Sequence, residues 1–195
     1  MKYFSLFILI SIFFTSCKSK FPEKEFIGNR SETLVNQDSL TIDFPKHYKG
    51  KILLVSFIFT NCPDICPLTT HNLQLIQQKV KENKIKNIAF AAISFDPERD
   101  TPTVLKNFAE VRNLNLVNYN LFTGKREAIK SLMETFHIVA IANDTTFTDD
   151  KQPVYFYTHT DRITLVDQDQ NIRKSYRGSE INLEEIINDI KNGVL

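Results

Sequence analysis

The stretch from Lys51 to Pro67, KILLVSFIFTNCPDICP, decides the fold. Its first nine residues are an apolar run rich in Ile, Leu, Val and Phe. Runs of this kind suit a strand buried on both faces of a parallel sheet. Its last seven residues place Cys62 and Cys66 on either side of Pro63, Asp64 and Ile65. From 67 to 83, Leu68, Leu73, Ile76 and Val80 recur at helical spacing, so a helix follows the cysteines. The cysteine motif therefore stands where a buried strand ends and a helix begins, the end at which open α/β sheets hold their ligands. A helix start offers unpaired N–H groups and the positive end of a dipole, which favour thiolate over thiol. Pro67 costs nothing there, because its missing N–H would have no partner in the first turn.

Working outward, 86–95 (KNIAFAAISF) reads as a second buried strand and 102–112 as a helix. Asp100 or Thr101 can cap that helix, and Pro102 suits its first turn. In 125–136, Ile129, Leu132, Met133 and Phe136 make an amphipathic helix face, so Met133 reads as core rather than as a thioether ligand. Residues 162–167 and 172–176 flank a polar turn and read as a hairpin; 183–190 closes the chain as a helix. Strands alternating with helices indicate an α/β sandwich. The order β-α-β-α-β-β-α around the cysteine motif matches a thioredoxin-like three-layer sandwich, with 34–44 and 113–138 as N-terminal and internal additions.

Composition agrees with one globular domain and little else. The 195 residues are 42% hydrophobic and 24% charged, outside the range of disordered chains. Lys and Arg number 24 against 23 Asp and Glu, so no basic field invites nucleic acid. Three cysteines are too few for a disulfide-stapled scaffold of this size.

The N-terminus reads as an address. Lys2 precedes an apolar run from 3 to 14, too short for a bilayer core that needs about 20 residues but suited to a secretory signal. Thr15 and Ser16 lead into Cys17, and the whole resembles a bacterial lipoprotein signal in which the cysteine is lipidated, although Phe14 stands where Leu is usual. The expected organisation is a signal peptide over 1–16, a polar tether over 17–33 and a single domain over 34–195. The chain would then be a membrane-anchored lipoprotein facing out of the cytoplasm. Cutting before Cys17 removes Lys2 alone among the charges and leaves 23 basic and 23 acidic residues. With Cys17 acylated, the two remaining thiols form the pair that an exported redox or metal site requires.

The spacing within that pair separates chemistries. Three intervening residues, where thioredoxins carry two, give the sulfurs room for linear or trigonal coordination. Two thiolates are soft ligands that favour Cu(I), whereas a closed zinc site needs four protein ligands. A third donor has to come from His47, His71, His137 or His159. The first three read as surface or helix-end residues. His159, in Tyr157-Thr158-His159-Thr160 just before the 162–167 strand, stands where thioredoxin-like folds bring a loop against the cysteines. Its imidazole would serve copper in either oxidation state. The same cysteines could instead run thiol–disulfide exchange, with Cys62 as nucleophile and Cys66 as the resolving thiol. A peroxidase of peroxiredoxin type fits less well, since such enzymes use an isolated peroxidatic cysteine. Asp96 and Asp100 read as loop and cap residues rather than catalytic carboxylates, and Tyr155, Phe156 and Tyr157 as packing that could wall the site from water.

Four stretches together resemble the SCO/SenC family of extracytoplasmic copper proteins: 59–67 (FTNCPDICP), 93–102 (ISFDPERDTP), 157–160 (YTHT) and 163–167 with its turn. The resemblance spans about 35–192. It implies copper held by Cys62, Cys66 and His159. It also implies assistance to cytochrome c oxidase assembly, with the copper-bearing oxidase subunit as partner and the membrane reached through the lipid anchor. The family often carries Asp directly before the histidine; here Thr158 stands there.

Overall fold

The computed structural model describes residues 25–62, 65–143, 146–147, 153–154 and 157–193. The signal segment, Cys17, Pro63, Asp64, Tyr155 and Phe156 lie outside the described residues. In chain order the elements are β1 (Glu25–Phe26), β2 (Glu32–Asn36), β3 (Thr41–Phe44), β4 (Ile52–Ile58), α1 (Ile65–Glu82), β5 (Ile88–Ser94), α2 (Pro102–Val111), β6 (Tyr119–Gly124) and α3 (Arg126–Thr135). They continue with β7 (Ala140–Ala142), β8 (Thr146–Phe147), β9 (Pro153–Val154), β10 (Tyr157–His159), β11 (Ile163–Val166), β12 (Asn171–Tyr176) and α4 (Leu183–Gly193).

One eight-stranded sheet runs β1-β12-β11-β4-β5-β6-β2-β3. Its centre is parallel, β4 with β5 and β5 with β6, and its flanks are antiparallel. Every residue of β4 and of β5 is buried, so helices must cover both faces, as a parallel centre demands. Helices α1 and α4 pack against each other. An aromatic cluster of Phe44, Tyr48, Phe57, Phe122 and Phe136 fills the core between the β2–β3 hairpin, the sheet centre and the end of α3. This is the mixed, thioredoxin-like α/β sandwich that the element order implies.

Three sequence expectations need adjustment. Residues 25–33, assigned to the tether, pack with the domain and enter the sheet at both ends: Glu25 and Phe26 pair with Ile172 and Asn171, Ile27 is fully buried, and Glu32 opens β2. The apolar content of that segment is confined to so few residues that composition alone hides it. The 113–138 segment is more than an addition, since it supplies β6, an interior strand of the sheet. Its sequence YNLFTG lacks a continuous apolar run because Asn120 serves the Asn36 and Gln37 amides at the end of β2. Leu68, counted in the helical apolar pattern, is 47% exposed; Cys66, Thr69, Thr70 and Leu73 take the inward positions.

Candidate metal centre

The cysteine pair sits as the sequence implies, between the end of β4 and the first turn of α1. The Cys62 N–H donates to the Phe59 carbonyl at 3.3 Å, folding the chain back after the strand. The Cys66 N–H, one of the orphan donors of the helix start, donates to Cys62 Sγ at 3.4 Å. The two thiols are therefore not equivalent. Cys62 is half-buried and receives the field of the helix terminus; Cys66 is buried. The hydrogen bond to Cys62, followed by burial, pushes the Cys66 thiol far above its ordinary range. A cation that bound Cys66 would have to displace its thiol proton.

His159 arrives from the other end of the chain. It closes β10, which pairs antiparallel with β7 in the register His159 to Ala140. From sequence alone it reads as a loop residue before β11. The short β7 partner carries no pattern that would have announced the ladder. His159 Nε2 lies 3.4 Å from Cys66 Sγ. Nδ1 faces the Thr160 carbonyl at 3.1 Å; a carbonyl only accepts, so Nδ1 carries the proton and Nε2 presents its lone pair to the sulfurs. Burial disfavours the imidazolium, but the bonds to the Cys62 sulfur and to the Thr160 carbonyl outweigh it, and the histidine's pKa ends above its ordinary value. A metal ion therefore competes with a proton for Nε2.

Phe59 meets the ring edge-on, Phe95 meets it at a tilt, and Tyr157 packs behind them. Phe95 and His159 centroids are 5.1 Å apart, Phe59 and His159 6.3 Å, and Tyr157 contacts both phenylalanines. This wall shields one side of the imidazole from water.

Cys62 Sγ, Cys66 Sγ and a ring nitrogen of His159 all lie within 4.8 Å of one another, and they are the only such group of three among the described residues. Trigonal coordination with bonds of about 2.0–2.3 Å would set its donors about 3.5–4 Å apart, so only small closures separate these atoms from a coordination shell. Two sulfurs and one imidazole are a soft, three-donor set that suits copper and falls short of a closed zinc site. The other histidines lie apart: His71 and His47 are exposed, and exposed His137 bonds Glu25 at 2.8 Å. Met133 is half-buried against the core.

Two carboxylates absent from the predicted ligand set bond residues that flank the cluster. Asp100 accepts from the Thr60 N–H (3.0 Å), the Thr60 hydroxyl (2.5 Å) and the Ser94 hydroxyl (2.5 Å), tying the residues before Cys62 to the end of β5. The cap of α2 is Thr101, whose hydroxyl accepts from the Val104 N–H. Asp96 shapes the loop, as read from sequence: its carbonyl accepts from the Asp100 N–H and its carboxylate from Arg99 Nε. Asp161, two residues beyond His159, accepts from Thr69 and Ser179. Neither carboxylate role is legible locally, because the bonds cross 40 and 92 positions of sequence.

Comparison with known proteins converges on one family. The sequence profile of SCO1/SenC matches residues 25–195. A SCO1 protein homolog of Bacillus subtilis is 32% identical over 161 residues, 82% of this chain and 79% of the relative. The crystal structure of a SCO1/SenC family lipoprotein from Bacillus anthracis superposes with a TM-score of 0.72 at 29% identity, over 90% of this chain and 98% of that one. Arabidopsis thaliana ScoI, solved with copper bound, gives 0.68 at 26% identity over 82% and 93%. With its fold, its Cys–Cys–His cluster and its profile match over nearly the whole described chain, this protein belongs to the SCO1/SenC family.

Proposed function

We propose that the protein is a copper carrier that holds one copper ion on Cys62, Cys66 and His159 and delivers it to the copper-bearing subunit of a cytochrome c oxidase. The observation that carries this reading is the convergence of two sulfurs and one imidazole from distant parts of the chain. Copper on the related Arabidopsis protein and the family's association with oxidase assembly support it. Copper is cargo here. Cys62, half-buried beside the helix start, is the ligand an incoming thiolate can displace first, while Cys66 and His159 hold the ion until exchange is complete. The same reading takes residues 1–16 as signal peptide and Cys17 as the lipidated anchor, with the domain outside the cytoplasm.

The test is anaerobic Cu(I) titration of the full chain against a competing chelator. Saturation is expected at one equivalent. Loss of either sulfur should cost more than the ten- to hundredfold, roughly, that follows loss of a group supporting a metal ligand. Absence of binding, or tight binding by Cys62→Ala, would overturn the reading. Joining Cys62 and Cys66 in a disulfide sends two electrons to an oxidant, releases two protons and removes both thiolate ligands. Verified disulfide protein should therefore hold no Cu(I).

One observation favours a second activity, thiol–disulfide exchange: the sulfurs are close, and only Cys62 is both accessible and bonded to the helix start. The His159→Ala variant separates the two. Weakened copper binding with unchanged dithiol exchange marks a carrier with redox capacity; unchanged copper binding marks a reductase.

A further inference from the structure

His159 and Cys66 approach each other from elements that share no strand ladder, so something must fix the gap between them. From one side, the residue before β7 holds the segment: the Thr160 N–H donates to the Val139 carbonyl at 2.8 Å, and the Val139 N–H donates to the Thr160 hydroxyl at 3.0 Å. From the other side the holder is the Asp161 carboxylate. Its Oδ1 accepts from the hydroxyl of Thr69 at 3.2 Å. Thr69 is buried on α1, three residues after Cys66, so it lies one turn along the same helix face. The Ser179 N–H lies 3.0 and 3.1 Å from the two carboxylate oxygens, the Ser179 hydroxyl donates to Oδ2 at 2.5 Å, and the Arg177 guanidinium stands 3.8 Å away. Gly178 lets this loop close on the carboxylate: a Cβ there would stand 2.5 Å from Asp161 Oδ1 and 2.8 Å from the Thr69 hydroxyl. The Asn72 amide donates to the Gly178 carbonyl at 2.8 Å, joining α1 to the loop a second time.

We infer that Asp161 is a positioning residue for copper: it pins the β10–β11 connection to α1 and so sets the imidazole of His159 at bonding range of Cys66. This inference rests on the proposed copper site. Asp161 hydrogen-bonds neither sulfur nor imidazole; its charge also favours the imidazolium of His159, and its hold on the ring's position runs through the backbone. Without it the two sulfurs remain on α1 and its approach, while the imidazole loses its fixed distance. The site then falls back from three prepared donors to two.

A double-mutant cycle tests this on the full chain. Cu(I) affinity is measured by chelator competition for wild type, Asp161→Ala, His159→Ala and the double variant. Asp161→Ala should weaken binding about tenfold to a hundredfold, the range for groups that orient metal ligands. The double variant should bind no more weakly than His159→Ala, because the two substitutions remove one shared contribution. With Cu(II), nitrogen superhyperfine coupling in the electron paramagnetic resonance spectrum should weaken in Asp161→Ala. Thr69→Val, which keeps the shape of α1 and deletes one hydrogen bond, should lose about three- to tenfold and serves if Asp161→Ala fails to fold. Unchanged affinity in both single variants, or a loss that adds in full to that of His159→Ala, would overturn the inference while leaving the copper site standing. If His159→Ala binds like wild type, the three-donor site and the inference fall together.

Discussion

Asp100 and Asp161 stand on either side of the Cys–Cys–His cluster and do related work in different surroundings. Asp100 is 1% exposed, and its three donors are neutral: two hydroxyls and a peptide N–H. Burial pushes its carboxyl above the usual carboxylate range, although the bonds from Ser94 and Thr60 pull the other way. Asp161 lies nearer the surface, with four bonding contacts from Thr69 and Ser179 and a guanidinium beside it. The contrast teaches that one side chain type can anchor the chain on either side of a candidate metal site in two different ways. In the dry interior its removal strands buried donors and costs stability; at the rim it costs mainly the geometry of what it holds.

The largest expected effect therefore falls on Asp100→Ala. The donors left behind cannot all find water, and at about 1–3 kcal/mol for each stranded buried group the variant should lose about 3 kcal/mol of unfolding free energy. Urea denaturation at neutral pH measures this. A loss below about 1 kcal/mol would mean that water reaches Thr60 and Ser94, and the contrast with Asp161 would disappear.

Asp100→Asn sharpens the same contrast through pH. Below the unfolded value, about 3.9, both states keep the aspartic acid protonated. As pH rises, the unfolded chain releases its proton first, so the native state binds more protons and stability falls until the raised native value is passed. Asparagine has no proton to lose, and its single oxygen can still accept from the Thr60 N–H and Ser94 while its amide faces the Thr60 hydroxyl. The stability of Asp100→Asn relative to wild type should therefore rise between pH 4 and neutrality, by about 1.4 kcal/mol for each unit of separation between the two values. A flat difference curve would show that Asp100 titrates as it does in the unfolded chain.

How much of this could be read in the sequence follows from how far each contact reaches. Cys62 and Cys66 were legible because four residues and a helix start settle their relation locally. The buried strands β4 and β5 announced themselves as apolar runs. His159 was legible through its placement before β11 and through the family resemblance, though its β7 partner was not. Strand β6 was hidden by Asn120, a polar residue kept for a distant amide pair. The two flanking carboxylates were hidden for a related reason: Asp100 resembles a helix cap and Asp161 resembles a loop residue until folding brings Thr60 and Thr69 to them. Local pattern thus located the sulfurs, and tertiary contacts that no short window contains supplied the parts that hold them.

On the other side of the contrast, Asp161→Ala should lower unfolding free energy by about 1 kcal/mol, the net worth of a hydrogen-bonded group whose donors can turn to solvent. Its effect on copper affinity should be the larger of the two. Equal losses in stability and affinity would make Asp161 a second Asp100, a scaffold residue with no special relation to the imidazole.

The smallest effect is expected one residue from Asp100. Thr101 caps α2 through the Val104 N–H, a bond in an exposed setting, and Thr101→Ala should cost about 0.5 kcal/mol. Because the Thr60 and Ser94 bonds end on Asp100 rather than on Thr101, the approach to Cys62 keeps its anchor. Cu(I) affinity should stay at the wild-type value while the denaturation midpoint falls. A loss of affinity in Thr101→Ala would mean that the start of α2, rather than the carboxylate before it, holds the cysteine motif in place.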